Sequence, residues 1–249
     1  MRPNRRCMPY PTRPPELTAI RGRCTGRRRV SPKPTVSHAR LLVTGSRRWG
    51  VPMLHSRVTE LHYITPVANL GSIVTHGLLS HNLAARLRHA SVPLEPVQDR
   101  RAQRRVPQGR PLHDYVNLYF DARNPMMYKL LKDGVGPLIV CRVDPVVLHL
   151  PGSVVTDGNA ASDGTIFMPS PSGLVRLSED RIYAGSWDDQ DYWTKIELKR
   201  ARCAELLVPD RVDPQFVLGC YVDHRNRRSE CFSESPRVHV EVNSRVFFN

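Results

Sequence analysis

Apolar residues along the chain fall into short runs whose spacing switches between strand and helix. "ELHYI" (60–64) has the aromatic and β-branched content of a strand. Thr65 is then placed to cap "PVANLGSIVTHG". Pro66 takes the first helical position, Leu70, Ile73 and Val74 recur at helical spacing, and Gly77 supplies the stop. "VQDRRAQRR" (97–105) predicts a helix that ends before Pro107, and "YVNLYF" (115–120) predicts a strand. "NPMMYKLLKDG" (124–134) predicts a short helix capped by Asn124, started by Pro125 and stopped by Gly134. "PLIVCRV" (137–143) is the clearest buried strand, and "DPVVLHLPG" after it reads as a turn of helix and a bend. Residues 151–195 read as loop-rich, with short helices at "SEDRIYAG" and "DYWTKIELKRAR". "CAELLV" (203–208) and "VLGCYV" (217–222) are strands joined through "PDRVDPQF", and "RVHVEVNSRVFF" alternates like an edge strand. There is no internal repeat. The pattern predicts an α+β domain over residues 56–249 with peripheral helices.

One position breaks the pattern. Glu205 sits inside the apolar run "CAELLV", and a carboxylate is rarely buried without a partner because losing water penalises its charged form. Read singly, Glu205 is better taken as a structural ion-pair partner of Arg202 or Arg211, and His62 in "LHYIT" as a satisfied core histidine.

Length and composition narrow the classes. The 249 residues, 40% hydrophobic, suffice for a substantial core. No run of 18 apolar residues exists, so no transmembrane helix is expected, and the N-terminus lacks the apolar region of a secretory signal. Among six cysteines there is no C-x-x-C pair and no tight Cys/His cluster, so no metal site is expected. Cys141, Cys203 and Cys220 lie in apolar runs and read as buried free thiols of a cytoplasmic protein.

The net charge of +14 is concentrated: residues 1–55 hold 13 of the 37 Lys and Arg but one of the 23 acids. This segment has no apolar periodicity and reads as a disordered basic tail. It is either a nucleic-acid-binding arm or the product of an upstream start codon; the latter is the expectation, with Met53 opening the ordered part. In the remainder, Arg86, Arg88, Arg100, Arg101, Arg104, Arg105 and Arg110 face only Glu95 and Asp99, which suits either phosphate binding or a solvated helix face.

Four blocks together say more than any one of them. "LHYITPVANLGSIVTHGLLS" (61–80), "LHDYVNLYFDARNPMMY" (112–128), "VTDGNAAS" (155–162) and "CAELLVPDRV" (203–212) resemble, in order and spacing, the DarT family of DNA ADP-ribosyltransferases, toxins of toxin–antitoxin pairs. The resemblance covers about residues 60–225. It implies an ADP-ribosyltransferase-like fold with two small mixed β-sheets forming a cleft for NAD, which is a substrate. It implies that His62, Tyr119 and Glu205 fall on three strands in the superfamily's order, with Glu205 facing the nicotinamide ribose. His62 would hydrogen-bond NAD, flanked by Leu61 and Tyr63. Asn69, Leu70, Gly71 and Leu78 would frame the nucleotide, and Met127 and Tyr128 would lie at its nicotinamide side, leaving Met126 to core packing. "VQDRRAQRR" matches the family's paired-arginine stretch and selects Arg101 as the arginine that acts with Glu205 and binds NAD. The loop 168–202 matches the substrate-recognising loop; Tyr183, Trp187, Tyr192 and Trp193 interleave there with Arg and Lys, and Trp187 and Trp193 are expected to anchor it to the core. The acceptor implied is thymine in single-stranded DNA, and the partner implied is a macrodomain hydrolase antitoxin, DarG-like. The rivals are the same fold acting on RNA or protein, and an inert basic nucleic-acid binder. The role of "TDGNAAS" does not follow from the residues, beyond Asp157 and Asn159 as braces of the loop.

Overall fold

The computed structural model describes residues 50–87 and 95–248. Ten strands and seven α-helices are present among the described residues. In chain order these are β1 (Leu61–Pro66), α1 (Leu70–His76), β2 (Leu78–Leu79), α2 (His81–Ala84), α3 (Glu95–Ala102), β3 (Tyr115–Tyr119), α4 (Pro125–Lys132), β4 (Leu138–Val143), β5 (Val154–Thr156), β6 (Phe167–Pro169), α5 (Glu179–Ile182), α6 (Tyr192–Ala201), β7 (Glu205–Pro209), β8 (Arg211–Val212), β9 (Val217–Val222), α7 (Arg225–Glu234) and β10 (Val240–Val242). Five of the strands and the helix α4 follow the sequence expectations to within a few residues. The cap on α4 is the expected one: Asn124 Oδ1 accepts from the N–H groups of Met126 and Met127 at 2.9 and 3.0 Å. The cap expected at Thr65 is not formed. β1 runs on through Thr65 and Pro66, which pair with Ile139 and Leu138 of β4, and α1 starts only at Leu70. Ladder pairing with a central strand outweighs the local capping preference.

Eight strands make one mixed sheet in the order β10-β9-β4-β1-β3-β7-β5-β6, and β2 and β8 form a separate two-stranded ribbon. The two small sheets expected from the resemblance are thus joined. The join is slight, however. β1 pairs with β4 over its whole length, from Leu61↔Val143 to Pro66↔Leu138, but with β3 only at His62↔Tyr119. Beyond that point β1 and β3 separate, because β3 stays with β7 from Tyr115↔Pro209 to Tyr119↔Glu205. The sheet is therefore two four-stranded halves meeting at one seam.

Side chains alternate across the strands. Leu61, Val116, Leu118, Ile139, Cys141, Leu206, Val208, Cys220 and Val222 turn to one face and form the main core with Leu70 and Ile73 of α1 and Cys231 of α7. Each such fully buried side chain contributes about 1.5–3 kcal/mol relative to exposure. Cys141, Cys203 and Cys220 are buried free thiols as expected. The expected tail over 1–55 lies mostly outside the described residues. Of those within, Met53 is 0% exposed and packs in the main core, so the ordered body includes residues before 56. No helix among the described residues is long and apolar enough to cross a membrane.

Candidate active site

The second face of the sheet carries a smaller apolar cluster that includes Ile64, Tyr119, Val140 and Tyr221. Register puts His62, Tyr119 and Glu205 opposite one another on β1, β3 and β7, so all three project to the same side in one row across the seam. Glu205 is 0% exposed, and the main chain beneath it is fixed by Thr156 of β5. The Glu205 N–H donates to Thr156 Oγ1 at 3.1 Å, and that hydroxyl donates to the Gly158 carbonyl at 2.7 Å.

Glu205 does not pair with Arg202 or Arg211; those bind Asp121 and Asp213. Its partner is Arg101, 5% exposed, whose Nη1 donates to Glu205 Oε2 at 3.2 Å. The neighbouring arginine of α3, Arg100, faces solvent instead. Burial pushes the Glu205 carboxyl up, and Arg101 and the nearby Ala160 N–H pull against it. Burial and the Glu205 charge together hold the Tyr119 phenol well above its ordinary value, so it stays a donor. The pair is not closed on itself: Glu205 Oε1 and Arg101 Nη2 are buried and accept or donate no hydrogen bond.

Where β1 and β3 part, a solvent-open cleft of about 900 Å³ is lined by Tyr63, Thr65 and Asn69 on one wall and Tyr115, Asn117 and Tyr119 on the other. Arg101 and Gln98 of α3 and His81 of α2 also line it. Asn69 is held by a bond from its Nδ2 to Thr65 Oγ1 at 3.0 Å. A second space of about 410 Å³ adjoins the first at Tyr63, Thr65 and Asn69 and reaches Leu78, Gly77 and Ile73.

The expected site residues divide by what their side chains meet. Tyr63, Asn69, Arg101 and Tyr119 line the cleft, Leu78 lines the adjoining space, and Glu205 lies behind Arg101. Leu61, Leu70 and Met127 are fully buried in the core, and Gly71 packs near the Glu234 carbonyl. His62 is engaged by protein on both ring nitrogens: Nδ1 donates to the Phe120 carbonyl at 3.2 Å, and Nε2 meets Glu60 Oε1 at 3.1 Å. A bond from His62 to a ligand would have to displace one of these. Glu60 also binds Arg142 at 2.7 Å and Tyr221 at 2.8 Å.

Three expectations are corrected. Met126, not Met127, lines the cleft, because α4 packs its Met127 and Leu130 face into the core. Tyr128 packs edge-on against Trp187 and Phe248, away from the cleft-lining residues. Trp187 does anchor its loop there and beneath Arg202, but Trp193 is 71% exposed on α6 and anchors nothing.

Sequence reasoning missed Thr156, Ala160 and Glu60. The first two belong to the signature "VTDGNAAS", whose purpose becomes plain: it wraps under Glu205. Asp157 Oδ2 ties this segment to Arg200 of α6 at 2.7 Å, and Arg104 of the α3 end binds Asp163 beside it. Among the described residues no group of three His, Cys, Asp or Glu could hold a metal ion.

Comparison with known proteins agrees with this geometry. The family model described as "ssDNA thymidine ADP-ribosyltransferase, DarT" matches residues 62–248. A DNA ADP-ribosyl transferase–DNA ADP-ribosyl glycohydrolase fusion protein of Thermosipho africanus (strain H17ap60334) is 36% identical over 179 residues, 68% of this chain; the chain spans only 44% of that protein. A DNA ADP-ribosyl transferase of Thermus sp. (strain 2.9) is 31% identical over 161 residues, 60% of this chain and 74% of its own length. The solved structure of Thermus sp. 2.9 DarT in complex with ADP-ribosylated ssDNA superposes with a TM-score of 0.66 at 25% identity, covering 77% of this chain and 97% of that one. With a buried Glu205 aligned to Tyr119 across a split sheet, and a family match spanning nearly all the described residues, the chain belongs to the DarT family.

Proposed function

We propose that this chain transfers the ADP-ribosyl group of NAD to thymidine in single-stranded DNA, in the cytoplasm, as the toxin of a pair whose other member, a macrodomain glycohydrolase, removes the modification. The observation that carries this reading is the buried Arg101–Glu205 pair, with Glu205 Oε1 and Arg101 Nη2 each left without a partner beside a cleft. Buried polar atoms of this kind cost free energy until a ligand completes them. The relatives' names supply the reaction class, and the fusion partner of the Thermosipho protein supplies the idea of a reversing enzyme.

In this reading NAD enters between β1 and β3 as a substrate. Breaking the nicotinamide–ribose bond leaves the electron pair on nicotinamide and positive charge on the ribose. Glu205 meets that charge with a carboxylate whose field is poorly screened by its apolar surroundings. Arg101 works against the burial that raises the Glu205 carboxyl and offers its second nitrogen to the ligand. Tyr119 donates from its phenol. Tyr63, Asn69 and Leu78 form the nucleotide wall with Gly71, while Leu61, Leu70 and Met127 act through main chain and packing. His62 fixes the seam that positions Tyr119.

The test is Glu205→Gln, which keeps shape but removes charge. Transfer to a thymidine oligonucleotide, read by mass spectrometry, should fall by about 10²- to 10³-fold, with NAD still raising the melting temperature. Near-wild-type transfer would remove Glu205 from the chemistry. A thymidine-free oligonucleotide and an RNA of matched sequence, run alongside, separate the DNA reading from the RNA one.

A further inference from the structure

The ladder between β3 and β7 ends at the pair Tyr119↔Glu205. Beyond that pair a side chain holds the two strands together. Arg202 closes α6, and a tight turn follows: the Cys203 N–H donates to the Arg200 carbonyl at 3.0 Å, and the Ala204 N–H to the Ala201 carbonyl at 2.9 Å. Glu205 is the next residue. From this turn Arg202 Nη2 donates to Asp121 Oδ2 at 2.7 Å and to the Arg123 carbonyl, both in the segment that leaves β3. Asp121 is fixed in turn. Its Oδ1 accepts from the Arg123 N–H at 2.9 Å, and its carbonyl accepts from Asn124 Nδ2 at 2.8 Å. The ion pair thus closes the open end of the ladder, just past Tyr119 and just before Glu205.

Stability is a weak reason for this arrangement. Arg202 is 2% exposed, and a buried ion pair contributes little net stability over apolar side chains of the same volume. Burial pulls the guanidinium below its ordinary value, and Asp121 pulls against it. Arg202 Nε and Nη1 are buried with no hydrogen-bond partner. What covers the guanidinium is the Trp187 ring, its centroid 5.4 Å from Cζ, with the attraction of an aromatic face for a cation. Trp187 is held in turn, edge-on to Phe248 at 5.5 Å and to Tyr128 at 5.9 Å. Arg123 ties these pieces together. It lies over the Phe248 ring at 4.4 Å, and its Nη1 donates to the Gly185 carbonyl at 3.4 Å. Without the Trp187 ring, water would reach Nε and Nη1 and draw the side chain away from Asp121.

We infer that Arg202 is a positioning residue that holds Glu205 against Tyr119, and that Trp187 keeps it in that place. The inference rests on Glu205 acting as proposed above. Arg202 is not among the residues that line the cleft, so it acts through the strand ends. A misplacement of about 1 Å in a reacting group costs about 10²-fold in rate, which makes the end of this ladder a sensitive point. The loop that carries Trp187 is thereby tied to the geometry of Glu205.

The experiment measures steady-state transfer to a thymidine oligonucleotide, well below the melting temperature of every variant, for Arg202→Met, Arg202→Lys, Trp187→Ala and Trp187→Phe. Arg202→Met and Trp187→Ala should lower kcat by about 10- to 10²-fold, with KM for NAD within a few-fold of wild type. Arg202→Lys keeps a cation beside Asp121, and Trp187→Phe keeps a ring over the guanidinium; both should recover most of the loss. Trp187 is half-buried, so Trp187→Ala decides the matter even where Arg202→Met does not fold. Variants that melt lower yet turn over at the wild-type kcat make the two residues merely stabilising and overturn the inference. A raised KM for NAD or for the oligonucleotide at unchanged kcat overturns it as well, by placing them at ligand binding. Both outcomes leave Glu205 in the chemistry. Glu205→Gln is run in the same assay: if it transfers like wild type, the proposed role of the carboxylate and this inference fall together.

Discussion

Removing either partner of the Arg101–Glu205 pair leaves the other charge inside the sheet, 5% or 0% exposed, without a counter-ion. Breaking a buried pair in this way costs about 3–5 kcal/mol, even though forming it is close to neutral. Glu205→Gln and Arg101→Met should each lower stability in urea unfolding, and the double variant should lose clearly less than the two single losses added. Simple additivity would mean the two groups do not lean on each other. Glu60 gives a pH dependence of definite sign. Burial alone would raise its carboxyl, but hydrogen bonds from His62, Arg142 and Tyr221 overcome this and hold it at about 2, below the ordinary 4.5. A depressed folded value means the network's contribution is complete above about pH 4.5 and is lost as pH falls toward 2. The melting temperature should therefore drop between pH 5 and 3 in wild type and drop less in Glu60→Gln; parallel curves would exclude the network as the cause.

Elements show which local signals tertiary contact respected. Gly77 and Gly134 read in the sequence as helix stops, and both adopt positive φ, +80° and +73°. They differ in surroundings. A Cβ on Gly134 would meet nothing within 4 Å, whereas one on Gly77 would lie 2.1 Å from the Val212 carbonyl, where β2 meets β8. Gly134→Ala should cost about 1 kcal/mol, the backbone strain alone. Gly77→Ala should cost distinctly more and also weaken NAD affinity, because the displaced β2 carries Leu79 into the cleft. Equal losses in thermal melts would refute the clash. The short strands β2, β5, β6 and β8 and the helix α7 left no readable pattern. Two or three residues cannot show a period, and α7 buries a single side chain, Cys231.

Across the whole molecule, the segment before β1 closes the main core. Met53 is fully buried, Pro52 bridges to Ser178, and the Glu179 N–H donates to the Val51 carbonyl at 2.7 Å. Met53→Ala should cost about 2–5 kcal/mol by opening a cavity. A chain begun at Gly50 should melt like the full chain, whereas one begun at Leu54 should melt lower. If removing residues 1–49 instead makes DNA binding much weaker and its salt dependence shallower, the basic segment is an arm that binds phosphate.

The sequence by itself determined the local conformations: the apolar runs of β1, β3, β4, β7 and β9, and α4 between its Asn–Pro start and Gly stop. These depend on residues within a few positions of one another. It also singled out Glu205, because a carboxylate in an apolar strand is anomalous without any knowledge of its neighbours. Tertiary structure alone decided what Glu205 meets. Arg101 is 104 positions away on α3, and Thr156 and Ala160 come from a third segment. It decided that Met126 and not Met127 reaches the cleft, since helical phase is set by which face the core takes. It also decided that β1 and β3 touch at one residue pair and then part, because β1 pairs along its length with β4 and β3 with β7. The cleft is a product of that long-range competition for hydrogen-bonding partners, which no short stretch of sequence encodes.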